Sequence, residues 1–172
     1  MALIFRKGTL EDADLFVHFL NEIKKQMEQK EWLYLDPPEM VHAMMADGIM
    51  DLWLVMDDDQ LAAVFSVLYP GMEPYNYGYD LRFSKEELLQ VVHMDTAAVH
   101  PKYRGLGLQG QMVRVAENAL AGQERKILIC TVHPENLFSL NNMLRQGYEI
   151  QKRIGKYGSE RFILQKILFE EN

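Results

Sequence analysis

The segment Ala98-Val-His-Pro-Lys-Tyr-Arg-Gly-Leu-Gly-Leu-Gln-Gly110 joins a β-rich run, residues 88–99, to a helical pattern of Met112, Val113, Val115, Ala116, Ala119 and Leu120. A strand that feeds a helix through so many glycines points to a mixed α/β architecture. It also makes a particular kind of surface. Glycine lacks a Cβ, so backbone N–H groups can approach a ligand closely, and the free N–H groups of a helix start favour an anion. Arg104 sets a fixed cation directly before the glycines. Arg104, Gly105, Leu106, Gly107, Leu108, Gln109 and Gly110 are therefore the candidate cradle for a phosphate group.

Gly105, Gly107 and Gly110 also fit G-x-G-x-x-G, the turn of dinucleotide-binding folds. Three features weigh against a dinucleotide-binding oxidoreductase. Residues 101–104 stand between strand and glycines, whereas the dinucleotide turn follows its strand directly. The acidic residue expected after the next strand is only Glu135, behind Pro134. Just 62 residues (172 less 110) follow Gly110, too few to complete that fold.

Hydrophobic periodicity organises the rest of the chain. Residues 2–6 read as a first strand, and Thr9 with Asp12 makes a T-x-x-D helix start. Leu10, Ala13, Phe16, Val17, Leu20, Ile23 and Met27 then recur at helical spacing. Pro37-Pro38 opens a second helix that ends at Gly48. Strands at residues 52–56 and 61–69 flank Asp57-Asp58-Asp59-Gln60, a solvated hairpin signal. A loop over residues 70–83 carries Tyr75, Tyr77 and Tyr79. Beyond the glycine turn, its helix stops at Gly122 and a fully apolar strand spans residues 127–132. A short helix through Leu137, Leu140, Met143 and Leu144 stops at Gly147, and strands at residues 148–154 and 161–168 close the chain. The expectation is one α/β domain over residues 1–172, built in layers.

Charge narrows the partners. Eighteen Lys and Arg against 25 Asp and Glu leave a formal charge of −7, which argues against nucleic acid. No run approaches the roughly 20 apolar residues that span a bilayer, and the N-terminal apolar stretch is too short for a signal peptide. The single cysteine, Cys130, lies in an apolar run and suits a reducing compartment. A cytoplasmic protein without membrane or nucleic-acid partners is expected.

Two motifs carry a resemblance to a known family. Val99-His-Pro-x-Tyr-Arg-Gly-x-Gly resembles the acetyl-CoA-binding signature of the GCN5-related N-acetyltransferases (GNAT), Q/R-x-x-G-x-G/A. His133-Pro-Glu-Asn136 through Gly147-Tyr148 resembles the family's later motif, in which an Asn opens a helix and Gly-Phe/Tyr closes it. Motif spacing and element order match over nearly the whole chain. The resemblance implies a mixed, mostly antiparallel sheet of about seven strands with helices on both faces and strands four and five splayed apart. It implies acetyl-CoA as co-substrate, no metal, an amine acceptor, and a monomer or homodimer. Backbone amides around Ala97, Ala98 and Val99 would hold the pantetheine arm and thioester carbonyl, residues Arg104 to Gly110 the pyrophosphate, and Asn136 with Ser139 the pantetheine arm. There are two departures. Gln109 stands where the signature has Gly or Ala, and Met143 stands where many members place a tyrosine acid.

Acetyl transfer to an amine needs the amine neutral and the carbonyl polarised. A carboxylate inside an apolar strand is costly unless used, so Asp95 is the leading candidate for general base or amine recognition. Strict alternation would put it on one face with Val91, His93, Ala97 and Val99. His133, at the end of the fifth strand, is the second catalytic candidate. His93 is expected to be a half-exposed structural histidine, and Tyr148 a buried core aromatic. Trp32, Tyr34, Asp36 and the loop tyrosines, Tyr77 among them, are candidate linings of the acceptor site. The leading function is N-acetylation of a small amine or an amino terminus. The alternative on the same scaffold is an acyl-CoA-binding domain without catalysis, motivated by Met143.

Overall fold

The computed structural model describes residues 1–169. They form two compact units, one of Met1–Val67 with Thr96–Ala116, the other of Leu68–Asp95 with the chain from Glu117 onward.

In the first unit, β1 (Leu3–Lys7) pairs antiparallel with β2 (Met50–Asp57), in the register Leu3↔Asp57 to Lys7↔Trp53. Asp12 locks the connection to the first helix. Its carboxylate takes both Arg6 guanidinium nitrogens at 2.8 Å and the Thr9 N–H at 2.7 Å, completing the capping box that T-x-x-D predicts. Those bonds hold the Asp12 carboxyl at about 2, below the ordinary carboxylate range. Helix α1 (Ala13–Gln26) buries Ala13, Phe16, Phe19, Leu20 and Ile23, the face that 3.6-residue periodicity demands. Lys30 closes it by donating to the carbonyls of Lys24, Lys25 and Met27. Helix α2 (Pro38–Ala46) starts on its proline, which supplies a helical φ where no N–H is needed. Strand β3 (Gln60–Leu68) returns from β2 through Asp58 and Asp59.

The second unit begins with the tyrosine loop and a single turn of helix, α3 (Lys85–Leu88). Ser84 and Glu87 form its capping box, so the strand expected from residue 88 starts only at Val91. Strand β4 (Val91–Val99) passes through both units. Its first half pairs in parallel with β5 (Ile127–Val132) through Val91↔Ile127, Val92↔Leu128 and His93↔Ile129. The ladder stops there although both strands continue, which is the expected splay. Helix α4 (Leu108–Leu120) precedes β5, and α5 (Leu137–Arg145) follows it. Strands β6 (Glu149–Lys156) and β7 (Ser159–Ile167) form an antiparallel hairpin, and β7 pairs antiparallel with β5. Both are longer than expected, because Tyr157-Gly158 is a two-residue turn with φ of 55° and 75°. The seven strands follow the order β1-β2-β3-β4-β5-β7-β6.

In the second unit Tyr148, Glu117 and Lys166 form a buried polar network. Tyr148, buried as expected, donates to Glu117 Oε1 at 2.8 Å, and Lys166 Nζ meets Glu117 Oε2 at 2.9 Å. Removing the cation leaves a carboxylate that is largely out of water. Lys166→Met is expected to destabilise the protein by about 2 kcal/mol in urea denaturation, and Tyr148→Phe, which leaves the ion pair whole, by about 1 kcal/mol. Equal effects would assign the network no electrostatic content.

Candidate functional site

The glycine turn opens with a 3-10 turn, Pro101–Tyr103, and reaches α4 through two glycines with left-handed backbone, Gly105 (φ 84°) and Gly107 (φ 70°). A Cβ built on either glycine meets nothing within 4 Å, so both border open space. Gln111 N–H returns to the Gly107 carbonyl at 3.1 Å as an ordinary helical bond. In an α-helix the N–H groups ahead of that point have no intrahelical acceptor. The first residues of α4 are Leu108, Gln109 and Gly110. Arg104 and Leu106 are exposed, while Leu108 is buried and anchors the helix start. The arrangement is a helix start preceded by two left-handed glycines and an exposed arginine, chemistry that suits an anion.

Strand β4 carries an irregularity that its sequence hides. Ile127 N–H donates to Gln90 O, so even-numbered residues at the start of the strand present their polar groups to β5. Further along, Thr96 N–H donates to Ser66 Oγ at 3.2 Å and His100 N–H to Ala62 O at 2.9 Å, both toward β3. Strict alternation cannot satisfy both, so the strand changes phase between Met94 and Thr96, the behaviour of a β-bulge. The single alternating face expected over residues 91–99 is thereby corrected. Ala97, Ala98 and Val99 follow this irregularity at the end of the strand.

Asp95 sits at this irregularity, in the second unit, near a cluster of aromatic and polar groups. Tyr77, a candidate lining of the acceptor site, is buried (4% exposed) in a core cluster with Val91, Ile127, Ile129 and Ile163. Its hydroxyl hydrogen-bonds Tyr157 and Thr131. Burial raises the Tyr77 phenol above its ordinary range, and the neighbouring Tyr157 and the Asp95 charge raise it further. Lys156 Nζ lies 4.9 Å from the Tyr77 ring centroid and 3.7 Å from Asp80. Thr131 and Tyr157 were not anticipated. Thr131 was findable, because it alternates in phase with Ile127 and Ile129.

His93 is 2% exposed, which corrects the half-exposed expectation. Its Nε2 accepts the Tyr77 N–H at 3.2 Å, and its ring lies 4.5 Å from the Tyr77 ring. Burial, with a smaller contribution from the Lys156 charge, lowers its pKa to about 3. A histidine whose folded pKa lies below its unfolded value stabilises the fold fully above the unfolded pKa and loses that contribution as pH falls. Between pH 7.5 and pH 5 the wild type is expected to lose about 2 kcal/mol that a His93→Asn variant does not lose. Denaturation midpoints at the two pH values measure this, and parallel losses would contradict it.

The remaining candidates are placed as follows. His133 Nδ1 accepts the Glu135 N–H at 3.1 Å, so in the neutral ring Nε2 carries the proton and can donate. Acting as a base would require breaking that bond. Asn136 caps α5 by accepting the Ser139 N–H at 3.3 Å, and its amide nitrogen is still a donor. Met143 is buried (4% exposed) and has no proton to give. Trp32 and Asp36 are half-buried and Tyr34 is exposed in the segment between α1 and α2, where burial raises the Asp36 carboxyl. Cys130 is buried, with its thiol raised to about 12. No group of acidic, His or Cys side chains among the described residues is arranged to hold a metal, and no helix there is long and apolar enough to cross a membrane.

No protein-family model matches the sequence, nor does any curated sequence. Solved structures do match. An acetyltransferase of the GNAT family from Streptococcus pneumoniae superposes with a TM-score of 0.73 at 16% identity, over 97% of this chain and 100% of that one. Arabidopsis thaliana NAA60 in complex with acetyl-CoA matches at 0.76 and 12% identity, over 97% and 99%. Ribosomal-protein-alanine N-acetyltransferase from Brucella melitensis matches at 0.69 and 18% identity, over 96% and 99%. With its mixed seven-stranded sheet, its parallel β4–β5 pair and these neighbours, the chain has the fold of the GNAT acetyltransferases.

Proposed function

We propose that this protein moves an acetyl group from acetyl-CoA to a primary amine, on a small molecule or a peptide amino terminus, by direct transfer in a ternary complex. The glycine turn carries the proposal. Gly105 and Gly107 hold left-handed φ beside open space ahead of α4, and a pyrophosphate fits such a cradle. The Arabidopsis neighbour is a complex with acetyl-CoA, which accords with this assignment.

When bound, acetyl-CoA supplies an acyl group already activated as a thioester. Arg104 and the N–H groups at the start of α4 hold the pyrophosphate. The backbone N–H groups around Ala97, Ala98 and Val99 orient the arm and polarise the carbonyl, while the Asn136 amide donates to the pantetheine. Asp95 accepts the ammonium proton of the acceptor, freeing the lone pair for attack. A carbon–nitrogen bond forms and the carbon–sulfur bond breaks; the nitrogen then gives up its second proton to water, and water protonates the departing thiolate, since Met143 cannot serve. Trp32, Tyr34 and Asp36 line the acceptor side. Tyr77 acts behind the surface, through the hydroxyls of Tyr157 and Thr131. The single buried cysteine accords with a cytoplasmic setting.

The buried Met143 favours one second reading, a domain that binds acyl-CoA without transferring the acyl group. Initial rates separate the two. Direct transfer predicts intersecting double-reciprocal lines when acetyl-CoA and amine are varied together. Parallel lines would require a covalent acyl-protein instead, and no amine-dependent rate would leave binding alone.

A further inference from the structure

The glycine turn needs an anchor. Two left-handed glycines separated by one residue and bordered by open space are inherently loose, because glycine gives up the most conformational freedom on ordering. The 3-10 turn just ahead of them supplies a rigid point. Tyr103, next to Arg104, is 2% exposed, and its hydroxyl donates to Asp57 Oδ2 at 2.7 Å with Gln60 Oε1 at 3.1 Å. Lys102 Nζ lies 3.3 Å from the same hydroxyl, 3.2 Å from Gln60 Oε1 and 5.0 Å from the Tyr103 ring centroid. The Tyr103 N–H donates to the His100 carbonyl, whose own N–H donates to Ala62. Asp57 and Gln60 are the last residue of β2 and the first of β3. The acidic hairpin, which reads from sequence as solvated, thus receives the turn.

We propose that Tyr103 and Asp57 form the positioning contact that holds the glycine turn in register for the diphosphate part of acetyl-CoA. Neither residue touches the reacting atoms. A tyrosine hydroxyl tied to a carboxylate on a rigid hairpin fixes the backbone at residue 103, and the donors that follow inherit that position. The bond also gives the Asp57 carboxylate a donor, with Lys102 beside the same hydroxyl.

The inference rests on the acetyl-CoA assignment, and its test separates the two. Dissociation constants are measured for coenzyme A and for S-acetylpantetheine, which lacks the diphosphate and nucleotide. Tyr103→Phe is expected to weaken coenzyme A about tenfold, the loss of one hydrogen bond to a charged acceptor. S-acetylpantetheine is expected to bind as it does to the wild type. Asp57→Ala should reproduce the selective loss should Tyr103→Phe fold poorly. Asp57→Asn, which still offers an oxygen to the hydroxyl, should restore most of the affinity. Unchanged coenzyme A affinity in the variants, or equal weakening of both probes, would overturn the positioning role while sparing the acetyl-CoA assignment. A wild type that binds no coenzyme A would overturn both.

Discussion

Gly107→Trp is expected to erase the stabilisation that coenzyme A confers on the wild type. At a hundredfold excess over its dissociation constant, a ligand that binds only the native state adds about 2.7 kcal/mol. For a chain of this length that is a rise of roughly 5–10 °C in melting temperature. Gly107 has φ of 70° and nothing within 4 Å of a built Cβ, so an indole would occupy the space through which backbone N–H groups meet the pyrophosphate. The substitution also strains a left-handed position by about 1 kcal/mol, so the unliganded variant should melt somewhat lower. Gly122→Ala is the matched control. It too is left-handed, at φ 79° with no neighbour within 4 Å, but lies beyond the far end of α4. It should share the strain and keep the full response to coenzyme A. A Gly107→Trp protein that coenzyme A still stabilises would move the pyrophosphate elsewhere.

Asp95→Asn is expected to lower turnover by about 10²–10⁴-fold while leaving the coenzyme A dissociation constant unchanged. The amide keeps the shape of the side chain and removes its capacity to take a proton. Asp95 lies where β4 changes phase, and its charge acts on the Tyr77 phenol. His133 cannot readily replace it, because its Nδ1 lone pair is engaged by the Glu135 N–H. Retained turnover would remove Asp95 from the chemistry. Lost binding of coenzyme A, with no turnover in either protein, would favour the non-catalytic reading.

Much of the fold is legible because local chemistry and tertiary structure agree. The capping box at Thr9 and Asp12, the proline at the start of α2, the Asn136 cap and the glycine turn each act within a few residues of chain. The splay of β4 from β5 follows from the resemblance and appears as a ladder that ends at His93↔Ile129. What escaped depends on contacts between distant segments. The change of phase near Asp95 shows only in bonds to segments distant in sequence, Ile127 N–H to Gln90 O before it and Thr96 N–H to Ser66 Oγ after it. His93 and Tyr77 became core residues because each satisfies the other, ring against ring and N–H to Nε2. Asp57 looked like a solvated hairpin acid until Tyr103, distant in sequence, met it. Ser84 with Glu87, and Tyr157-Gly158, were local signals that the apolar runs beside them obscured.

The most direct measurement follows free thiol while acetyl-CoA is mixed with the protein and a panel of polyamines, amino acids, aminoglycosides and peptides with free amino termini. The protein suits this assay, since its one cysteine, Cys130, is buried with its thiol raised to about 12 and adds little background. The proposed function predicts that at least one primary amine accelerates thiol release by the wild type. That acceleration should be absent with Gly107→Trp and greatly slowed with Asp95→Asn. Acetyl-CoA that binds tightly while no amine in the panel accelerates release would contradict acetyl transfer.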